Sequence, residues 1–355
     1  MNSMKTLAAG ALAAGILAGC SPSKPELHLY TWTDYVAPEV LQKFEKKFDC
    51  KVVVDTFDSN ESMYAKLKAG ATGYDVITPS SYQIALMAKE GMIDKLDHSK
   101  LPNVRKNFDR RFAQQIIDPS FAHSVPYAVT YTGFCYIKDK IPSGFDVRSW
   151  SVLGAPDLKG RISLLDDIRE VIGGGLMYLG YSINSANPEE IDKAVEQVLK
   201  WKTNIRKFDA ESYKTEVASG AITLGQGYST DVAQLIVGDE DEGVKPRPDI
   251  GFALPKEGFA IAFDEMVVAS ASKQKDLAYA FMNFIYEPEI AKENMEYICG
   301  PNPVAPAINA LDEDFRKIII LDDATLRRGQ LLKGFDDPKT IELYNKAWDR
   351  IKAGK

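Results

Sequence analysis

Five short segments of this chain combine aromatic rings with hydroxyl or carboxylate groups, and these are the residue types that could do chemistry. They are Trp32-Thr33-Asp34-Tyr35, Pro79-Ser80-Ser81-Tyr82, Asp166-Asp167-Ile168-Arg169-Glu170, Tyr228-Ser229 and Phe263-Asp264-Glu265. Ring faces attract cations and cover methylene groups, and carboxylates accept charge-assisted hydrogen bonds from ammonium groups. The mixture suits an organic cation better than ferric iron or an anion, because an anion site needs Arg or helix N-termini without clustered acids.

Each segment also has a structural interpretation. Asp167 and Glu170 have the spacing of a helix capping box, and Ser80 and Ser81 are good N-cap residues. The aromatic residues of the first two segments could simply fill the core: Trp32, Tyr35 and Tyr82. Asp264 is the exception, because a carboxylate inside an apolar strand is costly unless it has a partner.

The residues needed for metal or nucleophilic chemistry are scarce. His28, His98 and His123 stand alone, and no HExxH pattern occurs. The three cysteines after residue 20 do not form a CxxC pair, so we expect no zinc site and no disulfide scaffold: Cys50, Cys135 and Cys299. We interpret them as buried small hydrophobic residues. A single disulfide between two of them is the alternative in an oxidising compartment. We expect no metal and no cofactor.

Periodic segments indicate the elements that position these side chains. The first third alternates strands and helices: strand Leu27–Trp32, helix Pro38–Phe48, strand Lys51–Thr56, helix Glu61–Ala69 capped by Asn60, strand Asp75–Thr78 and a helix from Ser81 through Lys89. This order predicts a parallel sheet with crossover helices. In such open sheets ligands bind at the carboxyl ends of strands.

A second alternating region follows after residue 160. Its predicted elements are strand Ile162–Leu165, helix Asp167–Leu179, a helical stripe over Pro188–Phe208, strand Ala221–Leu224, a helix capped by Ser229 or Thr230 and ending at Val237, strand Ile250–Ala253, the run Ala260–Ser270, helix Asp276–Ile298 interrupted at Pro288, and helix Thr340–Lys352. The prediction is an α/β protein with two lobes and no long linker between them.

The N-terminus resembles an export signal that ends in a lipobox. Lys5 precedes a short apolar stretch, Leu7–Leu17, which is too short to span a bilayer. Ala18 and Gly19 suit a signal peptidase, and Cys20 stands where such signals place a lipidated cysteine. We predict a signal peptide over 1–19, a lipid on Cys20, a tether over 20–25 and a location on the extracytoplasmic (periplasmic) face of the membrane.

Length and charge set further bounds. Without its first 19 residues the 355-residue chain keeps 336, and the loss of Lys5 takes the formal charge from −7 to −8. That length favours two domains. A sequence pI near 5.3 argues against nucleic acid as a partner and is compatible with a cationic ligand.

Several stretches together resemble the bacterial polyamine-binding receptors, the spermidine/putrescine substrate-binding proteins of ABC transporters. They are YTWTDYVAPEVLQKFEKKF, SNESMYAKLKAG, YDVITPSSY, AKEGMIDKLD, LLDDIREVIGGGLMYLGYS and LPKEGFAIAFDEMVV. The ordered combination of W-T-x-Y, P-S-x-Y and D-D-x-R-E is specific, and the similarity runs from about His28 to the C-terminal helix.

The resemblance implies two lobes that close on a ligand about a hinge. It places lobe one over 26–131 plus 263–308 and lobe two over 132–262 plus 309–355. The binding site that it implies is Trp32, Thr33, Tyr35, Ser80, Tyr82, Asp167, Glu170, Tyr228 and Asp264, with Tyr228 where the family has tryptophan. It implies a polyamine ligand, permease subunits as partners and no catalysis.

Three positions depart from the family pattern. Ala262 replaces an aromatic residue, Gly300 a tyrosine, and Leu332 aligns less securely with a glutamine. These losses suggest an altered ligand length or preference, such as another polyamine or agmatine.

Other functions stay open on the sequence alone. The same fold binds ferric iron, thiamine or anions in related receptors, and a signalling partner could replace the permease. A hydrolase using Asp167, Glu170 and Asp264 as acid and base is a third class. The chain lacks a nucleophile elbow, a metal motif and a phosphate loop, so the hydrolase is the weakest of these.

Overall fold

The computed structural model describes residues 24–238, 244–335 and 337–354. The predicted signal peptide, Cys20 and most of the predicted tether lie outside the described residues. Within the described ranges, no helix is long and apolar enough to cross a membrane.

Ten strands form one continuous mixed sheet. Their bounds are β1 Glu26–Thr31, β2 Lys51–Thr56, β3 Val76–Ile77, β4 Val125–Ile137, β5 Ile162–Leu164, β6 Ile205–Phe208, β7 Leu224–Tyr228, β8 Ile250–Ala253, β9 Phe259–Val268 and β10 Gly329–Leu331. The main path runs β2-β1-β3-β9-β4-β7-β5-β6, with β10 paired to β9 and β8 paired to β4.

The helices lie between and after these strands. Their bounds are α1 Pro38–Phe48, α2 Asn60–Lys68, α3 Ser81–Lys89, α4 Pro102–Asn107, α5 Ile168–Tyr178, α6 Pro188–Lys202, α7 Tyr213–Ser219, α8 Ser229–Val237, α9 Lys275–Ile285, α10 Pro288–Ile298, α11 Ala305–Ala310, α12 Glu313–Ile319, α13 Asp323–Leu326 and α14 Pro338–Ala353. Short 3₁₀ turns connect several of them.

The sheet has two parallel halves. β1 pairs in parallel with β2 and β3, and β5 pairs in parallel with β6 and β7. We call the half that carries β1, β2 and β3 lobe one, and the half that carries β5, β6 and β7 lobe two. This arrangement confirms the predicted α/β class with a mixed sheet, and each half is built from the crossover units that the sequence indicates.

Two antiparallel strands join the lobes. β4 pairs with β9 along Val125–Tyr131 and then with β7 from Thr132 to Tyr136. β9 in turn pairs with β3 of lobe one at Val267 and Val268. Both strands therefore pass from one lobe into the other. The residue boundaries predicted for the two lobes stay a prediction.

Each lobe has its own hydrophobic cluster. Phe44, Phe281 and Phe284 lie in the cluster of lobe one, where α1 packs against α9. Trp150 and Trp201 lie in the cluster of lobe two, with nearly parallel rings 6.2 Å apart.

The structure differs from the predicted elements in several places. The stripe over Pro188–Phe208 ends as a helix at Lys202, and Ile205–Phe208 is strand β6, held by pairing with β5. The strand predicted over Ala221–Leu224 lies later, at Leu224–Tyr228. The long strand β4 was not predicted. It is buried over most of its length and shows no alternation of polar and apolar residues that would mark it as a strand.

Candidate functional site

The predicted site residues lie at the ends of strands and the starts of helices in both lobes. Trp32 and Ser80 follow β1 and β3 of lobe one, and Asp264 lies in β9 beside them, where it forms an isolated bridge with Ser80. Asp167 and Glu170 lie at the start of α5, which follows β5 of lobe two. Strand ends of both lobes thus supply the site, as the topology predicts.

Asp264 is the centre of a hydrogen-bond network in lobe one. Its Oδ1 accepts from Ser80 Oγ at 2.6 Å, and its Oδ2 accepts from the Tyr35 hydroxyl. Burial raises the pKa of the Asp264 carboxyl, and the bonds from Ser80 and Tyr35 act in the opposite direction. The carboxylate within this apolar strand therefore has the partners that its burial requires.

Asn60 supports this network from α2. Its Nδ2 donates to Ser80 Oγ at 3.0 Å and to the Tyr82 hydroxyl at 2.8 Å, and its Oδ1 accepts from Ser80 N at 2.9 Å. The predicted role of Asn60 as a helix cap was wrong, because the side chain of Ser59 caps α2 by accepting from Ser62 N. With its cap supplied by a neighbour, Asn60 is free to orient two site residues.

The hydroxyls of Ser80 and Ser81 do not cap α3. Ser80 has the extended backbone of an N-cap residue, but its side chain bonds Asp264. Ser81 Oγ donates to the buried carboxylate of Glu265, which also accepts from Ser124. The capping interpretation of these serines was therefore wrong: their side chains are oriented as donors towards buried carboxylates, and α3 has no side-chain cap bond.

Asp167 and Glu170 form only half of a capping box. Asp167 Oδ1 accepts from the backbone N–H groups of Arg169 and Glu170, at 2.8 and 3.0 Å. Glu170 is only 3% exposed, and its Oε1 accepts from Thr132 Oγ1 at 2.9 Å. Both cap bonds use Asp167 Oδ1, so the cap leaves Oδ2 available for another donor.

Glu170 is electrostatically strained. Burial raises the pKa of its carboxyl to about 8, and the neighbouring charge of Asp167 adds to the shift. The bond from Thr132 and the positive charge of Arg169 oppose it. A buried acid beside a second acid favours the protonated form until a cation approaches, which is the environment of a functional carboxylate.

Two half-buried tyrosines are influenced by acids of the candidate site. Burial is the main cause of the raised pKa of the Tyr82 phenol, and the negative charges of Glu61, Asp167 and Asp264 contribute to it. Burial likewise raises the pKa of Tyr228, with Asp167 and Glu170 as the next causes. Asp264 of lobe one and Asp167 of lobe two therefore both act on the phenol of Tyr82.

Trp32 and Thr33 have different positions. The indole N–H of Trp32 donates to Thr78 O at 3.0 Å, and its half-buried ring packs against Phe57 with centroids 4.5 Å apart. Part of the Trp32 ring therefore packs in the core of lobe one. Thr33 lies in the turn after β1 and is the one exposed residue of the predicted set. The structure does not bring it into the network around Asp264.

The departures from the family pattern have a structural counterpart. A Cβ at Gly300 would lie 2.6 Å from Thr230 Cγ2, so a side chain there would require Thr230 to move. Thr230 lies in the first turn of α8 in lobe two, two residues after Tyr228. Leu332 is part of the packing around the lobe-two cluster. A contact between the lobes therefore occupies position 300, and core packing occupies position 332, where the family has polar or aromatic side chains.

Asn60 and Thr132 were missed by sequence reasoning. The tandem Ser59-Asn60 offers two candidate caps where one suffices, and this redundancy is a usable signal. Thr132 lies on β4, which the sequence did not reveal. Among the described residues, no group of three His, Cys, Asp or Glu side chains could hold a metal ion. Cys50, Cys135 and Cys299 are buried, as expected for small hydrophobic residues.

Comparison with known proteins identifies the family. Residues 39–317 match the family described as bacterial extracellular solute-binding protein. This chain belongs to that family.

Curated relatives of this solute-binding protein match along almost its whole length. The putrescine-binding periplasmic protein SpuD of Pseudomonas aeruginosa strain UCBPP-PA14 is 34% identical over 368 residues, covering 99% of this chain and 98% of the relative. The spermidine/putrescine-binding periplasmic protein of Salmonella typhimurium is 34% identical over 352 residues, covering 98% of each.

Solved structures show the same fold. The spermidine/putrescine ABC transporter substrate-binding protein PotD of Streptococcus pneumoniae has a TM-score of 0.84 at 32% identity, covering 93% of this chain and 99% of the other. The Tp0655 lipoprotein of Treponema pallidum has a TM-score of 0.80 at 32% identity, covering 92% and 99%. The predicted family is confirmed, and with it a binding protein and not an enzyme.

Proposed function

We propose that this solute-binding protein captures a polyamine of the putrescine or spermidine class outside the cytoplasm and delivers it to an ABC permease. A polyamine is a chain of methylene groups between ammonium groups. It needs carboxylates at its charged ends and aromatic faces along its apolar stretches.

What supports this proposal most is that acids of both lobes act on the same tyrosine. Burial is the main cause of the raised pKa of Tyr82, and Glu61, Asp167 and Asp264 add to it. Burial also raises the pKa of Glu170, and Asp167 adds to that shift. Clustered acids repel each other unless a cation neutralises them, so the site favours a multiply charged cation.

The relatives support the same ligand class. SpuD is named as putrescine-binding, and another relative from Pseudomonas aeruginosa, 34% identical over 350 residues, is named as a putrescine/cadaverine-binding protein. Both are matched over 98% of their length. Their names point to short diamines as ligands.

The proposed binding residues divide by role. Asp167, Glu170 and Asp264 accept the ammonium protons, at about 1.5–3 kcal/mol for a hydrogen bond to a charged group. The rings cover the methylene groups: Trp32, Tyr35, Tyr82 and Tyr228. Ser80 and Thr33 add polar contacts, Ser80 through its bond to Asp264.

Calorimetry against a ligand panel tests the proposal. The panel is putrescine, cadaverine, spermidine, spermine and agmatine, with 1,4-butanediol as the matched control because it has the four-carbon chain of putrescine without the charges. We expect at least one amine to bind with a Kd of about 1 μM or tighter, near −8 kcal/mol, and the diol not to bind. Absence of amine binding, or equal binding of the diol, would contradict the proposal.

The same panel tests ligand preference. Because Ala262, Gly300 and Leu332 replace polar or aromatic residues of the family, we propose an order of affinities that differs from that of receptors retaining those groups. An order identical to theirs would refute this part alone.

We further propose that Cys20 is lipidated and anchors the protein at the extracytoplasmic face of its membrane. The sequence motif supports this, as does the name of Tp0655, a lipoprotein with the same fold. Cys20→Ser should move the protein from the membrane fraction to the soluble fraction of lysed cells and remove acyl mass from its N-terminus. Retention of Cys20→Ser in the membrane fraction would contradict the anchor.

A further inference from the structure

Arg169 lies between the two acids of lobe two in sequence, yet its side chain bonds a different segment. Its Nη1 donates to Lys333 O at 2.8 Å, and its Nη2 donates to Asn184 Oδ1 at 2.9 Å. The guanidinium carbon also lies 4.0 Å from the centre of the Phe335 ring. These contacts use the planar fork and the cation–π face that distinguish Arg from Lys.

The segment that Arg169 holds is residues 331–335, which begin with the last residue of β10. Asn184 bridges Arg169 and this segment, because Asn184 Nδ2 donates to Leu331 O at 2.8 Å and Lys333 N donates to Asn184 Oδ1 at 2.9 Å. Phe335 packs on Tyr344 of α14 with centroids 4.7 Å apart. Segment 331–335 is therefore attached to lobe two by side chains on both flanks.

The middle of this segment touches lobe one at the site. A Cβ at Gly334 would lie 2.9 Å from the backbone oxygen of Tyr82 and 3.6 Å from Tyr82 Cβ. Tyr82 begins α3 and belongs to the proposed site. The backbones of the two lobes thus meet so closely at Gly334 that a side chain there would force them slightly apart.

We propose that Arg169 is a positioning residue, which holds segment 331–335 so that Gly334 seats against Tyr82 when the lobes close. Two consequences follow for binding. Residues 331–335 complete the wall of the cleft beside Tyr82, and the two Nη groups of Arg169 are bonded to Lys333 and Asn184. The acids of the same helix therefore remain available to a ligand cation.

The first test needs no ligand and is independent of the proposed function. The 3.6 Å between the Cβ positions of residues 82 and 334 lies within the range of a disulfide. The double variant Tyr82→Cys/Gly334→Cys should form a disulfide under mild oxidation. Adding Arg169→Leu to this double variant should slow disulfide formation about fivefold or more. Each single cysteine variant is the control for background oxidation.

The outcomes of this first test are decisive for Arg169. Slower bond formation with an unchanged melting temperature supports a positioning role. No bond at all, or an equal rate with Leu at position 169, would overturn it. If Arg169→Leu lowers the melting temperature, Arg169→Lys is measured as well, because it keeps the charge and loses the fork. If the disulfide forms as fast with Lys as with Arg at position 169, the proposal is likewise overturned.

The second test rests on the proposed function and uses the panel amine that the unmodified protein binds most tightly. Gly334→Ala should speed its dissociation about fivefold, measured by stopped-flow fluorescence, since most affinity changes appear in the dissociation rate. Gly154→Ala is the matched control, because a Cβ at Gly154 meets no atom within 4 Å. Equal dissociation from both variants would overturn the contact at Gly334, whereas failure of the unmodified protein to bind any amine would count against the proposed function only.

Discussion

The two lobes offer the same chemical group, a buried carboxyl with a raised pKa, among different neighbours. In lobe one, each oxygen of Asp264 accepts from a hydroxyl, Ser80 on one side and Tyr35 on the other. In lobe two, buried Glu170 accepts from Thr132 and is repelled by Asp167. Hydroxyl donors stabilise the ionised form, whereas burial beside a like charge disfavours it.

This difference teaches how a two-lobed site divides its work. In lobe one, two neutral donors oppose the rise that burial causes in the pKa of Asp264. In lobe two, burial and the charge of Asp167 together raise the pKa of Glu170 to about 8, so this carboxyl gains most from the arrival of a cation.

The strongest challenge to the comparison is Asp264→Asn. We expect polyamine affinity to fall tenfold or more, about 1.4 kcal/mol per decade, and the melting temperature to fall too, because Tyr35 and Ser80 lose an ionic acceptor. Calorimetry and thermal unfolding measure the two effects. Asp75→Asn is the control: it is a buried acid that accepts from His28 N and Ser272 Oγ away from the site, so it should lower stability without changing affinity.

Glu170→Gln should give the same loss of affinity with the opposite effect on stability. Removing a buried acid that is strained by Asp167 relieves a cost of up to about 3 kcal/mol at pH 7, from a pKa near 8 against 4.5 in the unfolded chain. We expect affinity to fall about tenfold and the melting temperature to hold or rise. A lower melting temperature with unchanged affinity would make Glu170 a structural residue and remove the contrast.

The pH dependence of binding sharpens the contrast further. The folded pKa of Glu170 lies above its unfolded value, so its contribution to stability falls as pH rises between about 4.5 and 8. An ammonium ion favours the carboxylate, so affinity should rise over about pH 6–8, by at most tenfold per unit for one released proton. Calorimetry in buffers of different ionisation enthalpy counts that proton. Glu170→Gln should flatten the profile, and an equally steep profile in this variant would place the proton elsewhere.

The smallest expected effect is that of Asn60→Ala. Ser80 and Tyr82 lose a donor, and Ser80 N loses its acceptor, so these two site residues are held less firmly in place. Affinity should fall about threefold to tenfold, near the 0.5–1.5 kcal/mol of ordinary hydrogen bonds. Ser59→Ala is the matched control, since loss of the cap of α2 costs about 1 kcal/mol of stability without touching the site. Equal affinities of the two variants would limit Asn60 to packing.

Regular elements with local signals were predictable from the sequence. Pro38–Phe48 and Lys51–Thr56 have the predicted bounds, because Pro38 marks a helix start and β-branched residues mark a strand. Ile205–Phe208 and β4 were not predictable in the same way. The first continues a helical stripe and becomes a strand by pairing with β5, and the second is buried on both faces.

The same division applies to the site. The residue types of the loops indicated an organic cation, and Asp264 was distinguished by its apolar surroundings. Asp167 is the helix cap that its spacing predicts, but Glu170 turns to Thr132 instead of completing the box. The capping roles predicted for Ser80 and Asn60 were wrong, because their hydrogen-bond partners, Asp264 and Ser80, lie 184 and 20 residues away in the sequence.

The sequence by itself determined the alternation of strands and helices, the family and the chemical character of the ligand site, because these depend on composition, local periodicity and motif spacing. Only the tertiary structure decided which hydroxyl serves which carboxylate, which acid is strained and where the lobes touch. Those outcomes depend on burial and on contacts between residues far apart in the chain, and a buried polar group bonds the strongest acceptor within reach whatever its distance in sequence.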